Sequence, residues 1–451
     1  MERFPRNKTR LAIGFFLISA AALPLRADEP ASSSAPSIAE QLQQLREQNA
    51  ALQEQLRSQQ RVIEDLGKRV EQLQSTATPD HATPAKHESV DVESSAAALT
   101  KATVGRIHLS GDGSVAVFSS QSHGQFANTD FRVDEARILL EAPVWTDVYV
   151  YSELLLYQRE EPGLSLHAGE FYLDAENLSK LWGQDRQLNL RAGRVNIPFG
   201  EEYLHRHALE NPLISHSLID LWGVNEGIEA YGSQGKFSYV LAVQNGPVDL
   251  ADDFTRDKMV TGRLSYDPAS WLHLSGSASR TGSIDFKREK FSAYWIGSGF
   301  IRSIGSPATT RFQADLLQGD VQVRLPGTTL TTAGGVLAYS DTDPAANNDR
   351  QITYYSVEAV QSLYEGFHAA ARWSQMFSPE GYPVAGVGNA GEFAFGPKLT
   401  SELHLLSLGI GYRWSPQLVF KVEYSLESGR TVDHRKRDHE NLFSATAAFG
   451  F

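Results

Sequence analysis

The segment PFGEEYLHRHALENPLISHSLIDLWGVN, residues 198–225, sets His205, Arg206, His207 and His216 beside Glu201, Glu202, Glu210 and Asp220. Such a mixture could hold a metal ion, move protons in a catalytic cycle, or set an electric field that sorts passing ions. Adjacent ligands on a loop can reach one metal, but the spacing here matches no defined ligand pattern, and no metal is expected. The acidic stretches Asp249, Asp252, Asp253 and Asp341, Asp343, Asp349 likewise lack the fixed calcium-loop order. No G-x-S-x-G, H-E-x-x-H or phosphate loop is present, so no enzyme activity, no catalytic residue and no cofactor is expected. Field-setting is what remains, and it needs a wall to face.

The same segment carries Leu204, Leu209, Leu213, Ile214, Leu218, Ile219, Leu221 and Trp222. A stretch that apolar folds back and packs. The simplest surface to receive it is the inside of a barrel, with the outer rim or a neighbouring protomer as the alternative. Residues 282–307, with Phe291, Tyr294, Trp295, Phe300 and Ile301, are a weaker candidate for infolding.

Strands supply the barrel. From about Val104 to the end, apolar residues alternate with small or polar ones, the side-chain period of a strand. Residues 416–427 are typical: Phe420, Val422, Tyr424 and Leu426 share one face, and Lys421, Glu423, Ser425 and Glu427 the other. Sixteen such segments are expected, from 104–119 to 441–451. No helical segment lies between them to cover the apolar face. Links after even-numbered strands are mostly tight, with 176–186 the exception. Those after odd-numbered strands are mostly long and polar, with 159–164 the exception. Short turns on one rim and long loops on the other mark a membrane barrel. Trp145, Tyr266, Trp271, Tyr364, Phe367, Trp414 and Phe451 fall at or beside the short-turn ends, as an interfacial girdle does. The expected fold is therefore all-β, a 16-stranded antiparallel transmembrane β-barrel over 103–451. A barrel of that size keeps an aqueous lumen. Judged by parity, Glu135, Arg137, Arg191, Arg372, Arg413, Lys421 and Glu423 line it. The segment 198–225 is expected to narrow it as a pore constriction through Glu201, Glu202, His205, Arg206, His207, Glu210 and His216.

The region ahead of the barrel divides in three. Residues 1–27 carry Arg3, Arg6, Lys8 and Arg10 before the apolar run LAIGFFLISAAALPL, as a secretory signal peptide does. Residues 38–73 place Ile38, Leu42, Leu45, Asn49, Leu52, Leu56, Gln59, Ile63, Leu66, Val70 and Leu73 at unbroken 4, 3 spacing. That is an a/d seam of about five heptads, an N-terminal α-helical coiled coil roughly 54 Å long that implies a homo-oligomer. Residues 74–102 are a flexible linker. The 451-residue chain has no cysteine and a formal net charge of −13. Nucleic acid is excluded as a partner on that charge. The partners expected are outer-membrane lipid, further copies of the chain and small solutes in transit. The stalk is placed in the periplasm, within reach of the cell wall.

The run GRVNIPFGEE at 193–202 resembles the G-R-F-K-x-P-F-G-x-E run of the phosphate-selective porins of the O and P type, and LENPLISHS at 209–217 resembles the E-R-x-L stretch that follows it. The stalk, linker and sixteen-stranded barrel are similar to that family over essentially the whole chain. The resemblance implies a homotrimeric outer-membrane channel passing anions such as phosphate. This chain departs from it at Asn196, where the family has lysine, and at Asn211, where it usually has arginine. Acidic residues outnumber basic ones in the barrel region, and Arg137 shares its face with Glu135 and Glu141. The expectation is a general porin with at most mild selectivity. A structural tether, in which the barrel anchors a stalk bound to another envelope layer, is the alternative.

Overall fold

The computed structural model describes residues 102–104, 107–157, 166–246, 257–286, 295–296, 304–394 and 398–451. The signal peptide at 1–27, the coiled coil at 38–73 with its seam, and nearly all of the linker lie outside the described residues.

Sixteen strands follow in chain order: β1 Ile107–Ser120, β2 Asp130–Trp145, β3 Val148–Tyr157, β4 His167–Ala175, β5 Asn189–Asn196, β6 Val224–Gln234, β7 Phe237–Gln244 and β8 Met259–Ala269. The second half holds β9 Leu272–Arg280, β10 Arg311–Leu325, β11 Thr328–Asp341, β12 Arg350–Ser362, β13 Phe367–Tyr382, β14 Thr400–Ser415, β15 Leu418–Thr431 and β16 Leu442–Gly450. Each pairs antiparallel with the next, and β16 pairs antiparallel with β1 from Asp112↔Gly450 to Ser120↔Leu442. The sheet is therefore closed, with no edge to leave backbone groups unsatisfied in lipid. Beyond the last strand, Phe451 exchanges both backbone hydrogen bonds with Gly111.

The faces are inverted relative to a water-soluble protein. On β15, Phe420, Val422, Tyr424 and Leu426 are 43%, 49%, 41% and 39% exposed, while Lys421, Glu423, Ser425 and Glu427 are 3%, 2%, 1% and 4% exposed. Charge lies inside and hydrocarbon outside, which is stable only where the outer solvent is apolar. Trp145, Trp271, Tyr364, Phe367, Trp414 and Phe451 are all exposed at the short-turn rim. Among the described residues no helix is long and apolar enough to cross a membrane.

Strands β13 and β15 continue past the expected ends at 377 and 427, to Tyr382 and Thr431. Above the lipid level the outward side chains turn polar, so the alternation fades while backbone pairing goes on, as at Glu402↔Arg430. The long loops there are joined by Arg437, whose guanidinium donates to Glu427 and Glu440 and to the carbonyl oxygens of Val384 and Ala385. It sits 3.7 Å from the Phe393 ring centroid.

Candidate functional site

The third long loop runs from the end of β5 to the start of β6 and lies against the inner face of the barrel on both sides. At its root the Gly200 amide donates to Ser277 Oγ at 3.0 Å, and Arg263 donates to the Gly200 carbonyl at 2.9 Å. Glu201 accepts from Ser265 and lies 3.3 Å from His273 Nε2 and 3.6 Å from Arg263 Nε. These partners are on β8 and β9. A short helical turn, Glu202–His205, follows. The loop then reaches β2, where the Ala208 amide donates to Glu135 at 3.1 Å and Arg137 donates to His207 Nε2 at 2.9 Å.

From there it lies along β13, β14 and β15. The Lys421 ammonium donates to three loop carbonyls, Ala208, Asn211 and Leu213, at 2.7, 2.8 and 2.8 Å. Arg413 donates to the Leu209 carbonyl at 2.8 Å, and Arg372 to the Ser215 carbonyl at 2.7 Å and to Asn211 Oδ1 at 3.1 Å. Glu423 accepts from the amides of Ile214 and Ser215 and from Ser215 Oγ. The loop backbone, which forms no regular ladder, is thus satisfied by wall side chains.

Apolar packing seats the same lobe. Leu209 meets Val419 and Ala448, and Ile214 meets Ala116, Phe118, Phe126 and Leu442. Leu213 rests over Gly409, where an added Cβ would come within 2.6 Å of its methyl carbon. Ile197, Phe199, Leu218, Ile219 and Leu221 join a larger cluster with Met259, Phe312 and Leu337. The segment at 282–307 also reaches this loop: Trp295 and Ile296 pair with Trp222 and Leu221, and Ile304 belongs to the larger cluster. Between the lobe and β2, β15 and β16 there remains a cavity of about 10 Å³, lined by Asp134, Arg206, His216 and Lys421 among others. That is room for about one water.

Within the loop, Arg206 pairs with Asp220 at 2.9 Å, and His216 Nδ1 lies 2.9 Å from the same carboxylate. Burial raises the Asp220 carboxyl, but Arg206 and His216 outweigh it and hold the group below its ordinary range. Burial, with Arg137 alongside, pushes His207 well down, so the neutral ring accepts at Nε2. Burial would also raise Glu201, yet His273 and Arg263 hold it at about 2. Glu202 accepts from the amide and hydroxyl of Ser217. Burial pushes it up to about 7 against the pull of Arg372. Burial does the same to Glu210, to about 7. His205 is the exposed member of the group.

Arg137, Arg372, Arg413, Lys421, Glu135 and Glu423 all bond to the loop. Arg191 instead bonds Asp174 at 2.8 Å and Glu229 at 3.2 Å, between the rings of Tyr172 and Tyr231. The partners that sequence reasoning missed are Asp112, Glu153, Asp174, Glu229, Glu358 and Arg263. Each stands on the inward parity of its strand, which is the signal that could have found it. Among the described residues no group of three or more histidines and carboxylates could hold a metal ion.

No family model matches the chain, and no curated protein matches it by sequence. Solved structures match by fold. The outer membrane channel DcaP of Acinetobacter baumannii superposes with a TM-score of 0.51 at 10% identity, over 76% of this chain and 97% of that one. OmpT, an outer membrane protein of Vibrio cholerae, superposes with a TM-score of 0.50 at 9% identity, over 78% of this chain and 100% of that one. The closed sixteen-stranded antiparallel barrel is thus a fold that this chain shares with these two outer-membrane proteins. At these identities the likeness is one of fold, and it does not single out the phosphate-selective family.

Proposed function

We propose that the chain is an outer-membrane porin through which small hydrophilic solutes and ions diffuse passively, narrowed by residues 198–225. One observation carries this reading: a closed barrel of sixteen strands, a size that leaves water in its middle, holds an infolded loop bonded to six of its strands. Passage then requires no bond chemistry, only a lumen left beside the loop, with selectivity set by the groups that line it. The domain plan belongs to the same proposal: removal of 1–27, a homotrimer joined by the seam of Leu42 to Leu73, a linker at 74–102, and a stalk on the periplasmic side. Purified protein reconstituted in a planar bilayer tests it. Stepwise ohmic conductance, and entry of small sugars into proteoliposomes, are the expected results. A bilayer that stays silent at high protein dose refutes it.

A further inference from the structure

Among the described residues, the cations that line the loop and the walls facing it are engaged. Arg137 is held by Asp112 at 2.7 Å and Glu153 at 2.9 Å, and Arg191 by Asp174 and Glu229. Arg206 is bound to Asp220, and Arg372 to Glu358 at 2.6 Å. Arg263 faces Glu201, Lys421 is capped by three carbonyls, and Arg413 holds the Leu209 carbonyl. Two of these arginines take two carboxylates each. None of these cations stands as a spare rung for a passing anion.

The interior carboxylates are in excess. Among the described residues, Glu170, Glu202, Glu423 and Asp320 hydrogen-bond to neutral groups only: the Asn196 amide, Ser217, the Ile214 and Ser215 amides, and Ser275 with Gln318. The side chain of Glu210 has no described hydrogen bond. A low-dielectric wall lined by one sign of charge concentrates the opposite ion in the water it encloses.

We propose that the lumen selects for cations, and that the arginines and lysine which the sequence offers as an anion path serve instead to hold the loop. This rests on the diffusion reading above. The solute class follows: small cations and cationic organic molecules pass more readily than anions of equal size. Inorganic phosphate, which carries close to two negative charges near neutral pH, is disfavoured.

Reversal potentials across a bilayer in a tenfold KCl gradient at pH 8 test the inference. A potential of about −1 kT in the lumen enriches K⁺ and depletes Cl⁻ by about e-fold each, a permeability ratio of about seven. The expected result is a ratio well above one, lowered about twofold in Glu210→Gln. No hydrogen bond is described for that side chain, so the variant should fold, and an unchanged heat-modifiable mobility on gels verifies that it does. A ratio at or below one, or a chloride or phosphate preference, overturns the inference while leaving the porin standing. A ratio unmoved in both Glu210→Gln and Glu202→Gln overturns the role given to the loop carboxylates. A silent bilayer overturns the diffusion reading, and the inference falls with it.

Discussion

Replacing Lys421 with methionine keeps an unbranched side chain of similar volume, one atom shorter, while removing its charge and its three donors. In the native protein Lys421 is 3% exposed and its ammonium donates to the carbonyls of Ala208, Asn211 and Leu213. A hydrogen bond to a charged group contributes ~1.5–3 kcal/mol, so three give a gross ~5–9 kcal/mol. Desolvating the buried ammonium removes several kcal/mol of that, leaving a net ~2–4 kcal/mol that docks the loop. At ~1.4 kcal/mol per decade, Lys421→Met raises the undocked population by ~30- to ~700-fold. Arg372 and Glu423 still hold their own bonds to the lobe, so the barrel itself stays closed. Single-channel recording should show frequent transitions to a larger conductance, and protease added from the long-loop side should cut near residues 206–213 faster than in wild type. A channel with wild-type conductance, noise and protease resistance would refute the claim that the loop is tethered by this cation.

Two further predictions address the seam and pH. A Cβ on Gly111 would lie 2.7 Å from the Phe451 ring and 2.8 Å from the Arg137 carbonyl, so Gly111→Val should lower the yield of heat-modifiable, folded barrel in detergent refolding several-fold, while Gly262→Val, where an added Cβ meets ordinary contacts at 3.6 and 3.7 Å, should not. Glu202 and Glu210 are both raised to about 7 by burial. Their folded values lie above the unfolded ones, so their contribution to loop docking is full below the unfolded carboxylate range of ~4.3 and is lost as pH rises through about 7. Loop protease resistance should therefore be greater at pH 5.5 than at pH 8.5, and the difference should shrink in Glu202→Gln; equal resistance at both pH values sinks the assignment.

Much of the barrel was legible because a membrane strand writes its two environments into alternate residues. Phe420 to Glu427 shows both faces without any other part of the chain, and the parity of loop lengths gave the even strand number. The infolding of 198–225 could be anticipated from its leucines and isoleucines alone, since such a segment must find apolar company. What the sequence could not show is which wall it finds. Arg372 and Ser215 are 157 residues apart, and Lys421 and Ala208 are 213 apart; no local spacing encodes these meetings. The same limit hid Arg437, which looks like one charge among several in RKRDHE and is 1% exposed between Glu427 and Glu440. The lumen-facing basic residues were found by parity, but parity cannot tell a cation open to passing solute from one already spent on a carbonyl.

Ala208 carries a consequence for assembly. Its amide is bound to Glu135 on β2 while its carbonyl is bound to Lys421 on β15, strands near opposite ends of the described chain that come within reach of one residue only when β1 meets β16 between them. One residue thus straddles the zip line of the cylinder. The inner lobe cannot reach its final seat on a half-rolled sheet, so furnishing the interior must be the last act of folding, and a nascent barrel that has not yet rolled shut would be an unselective hole.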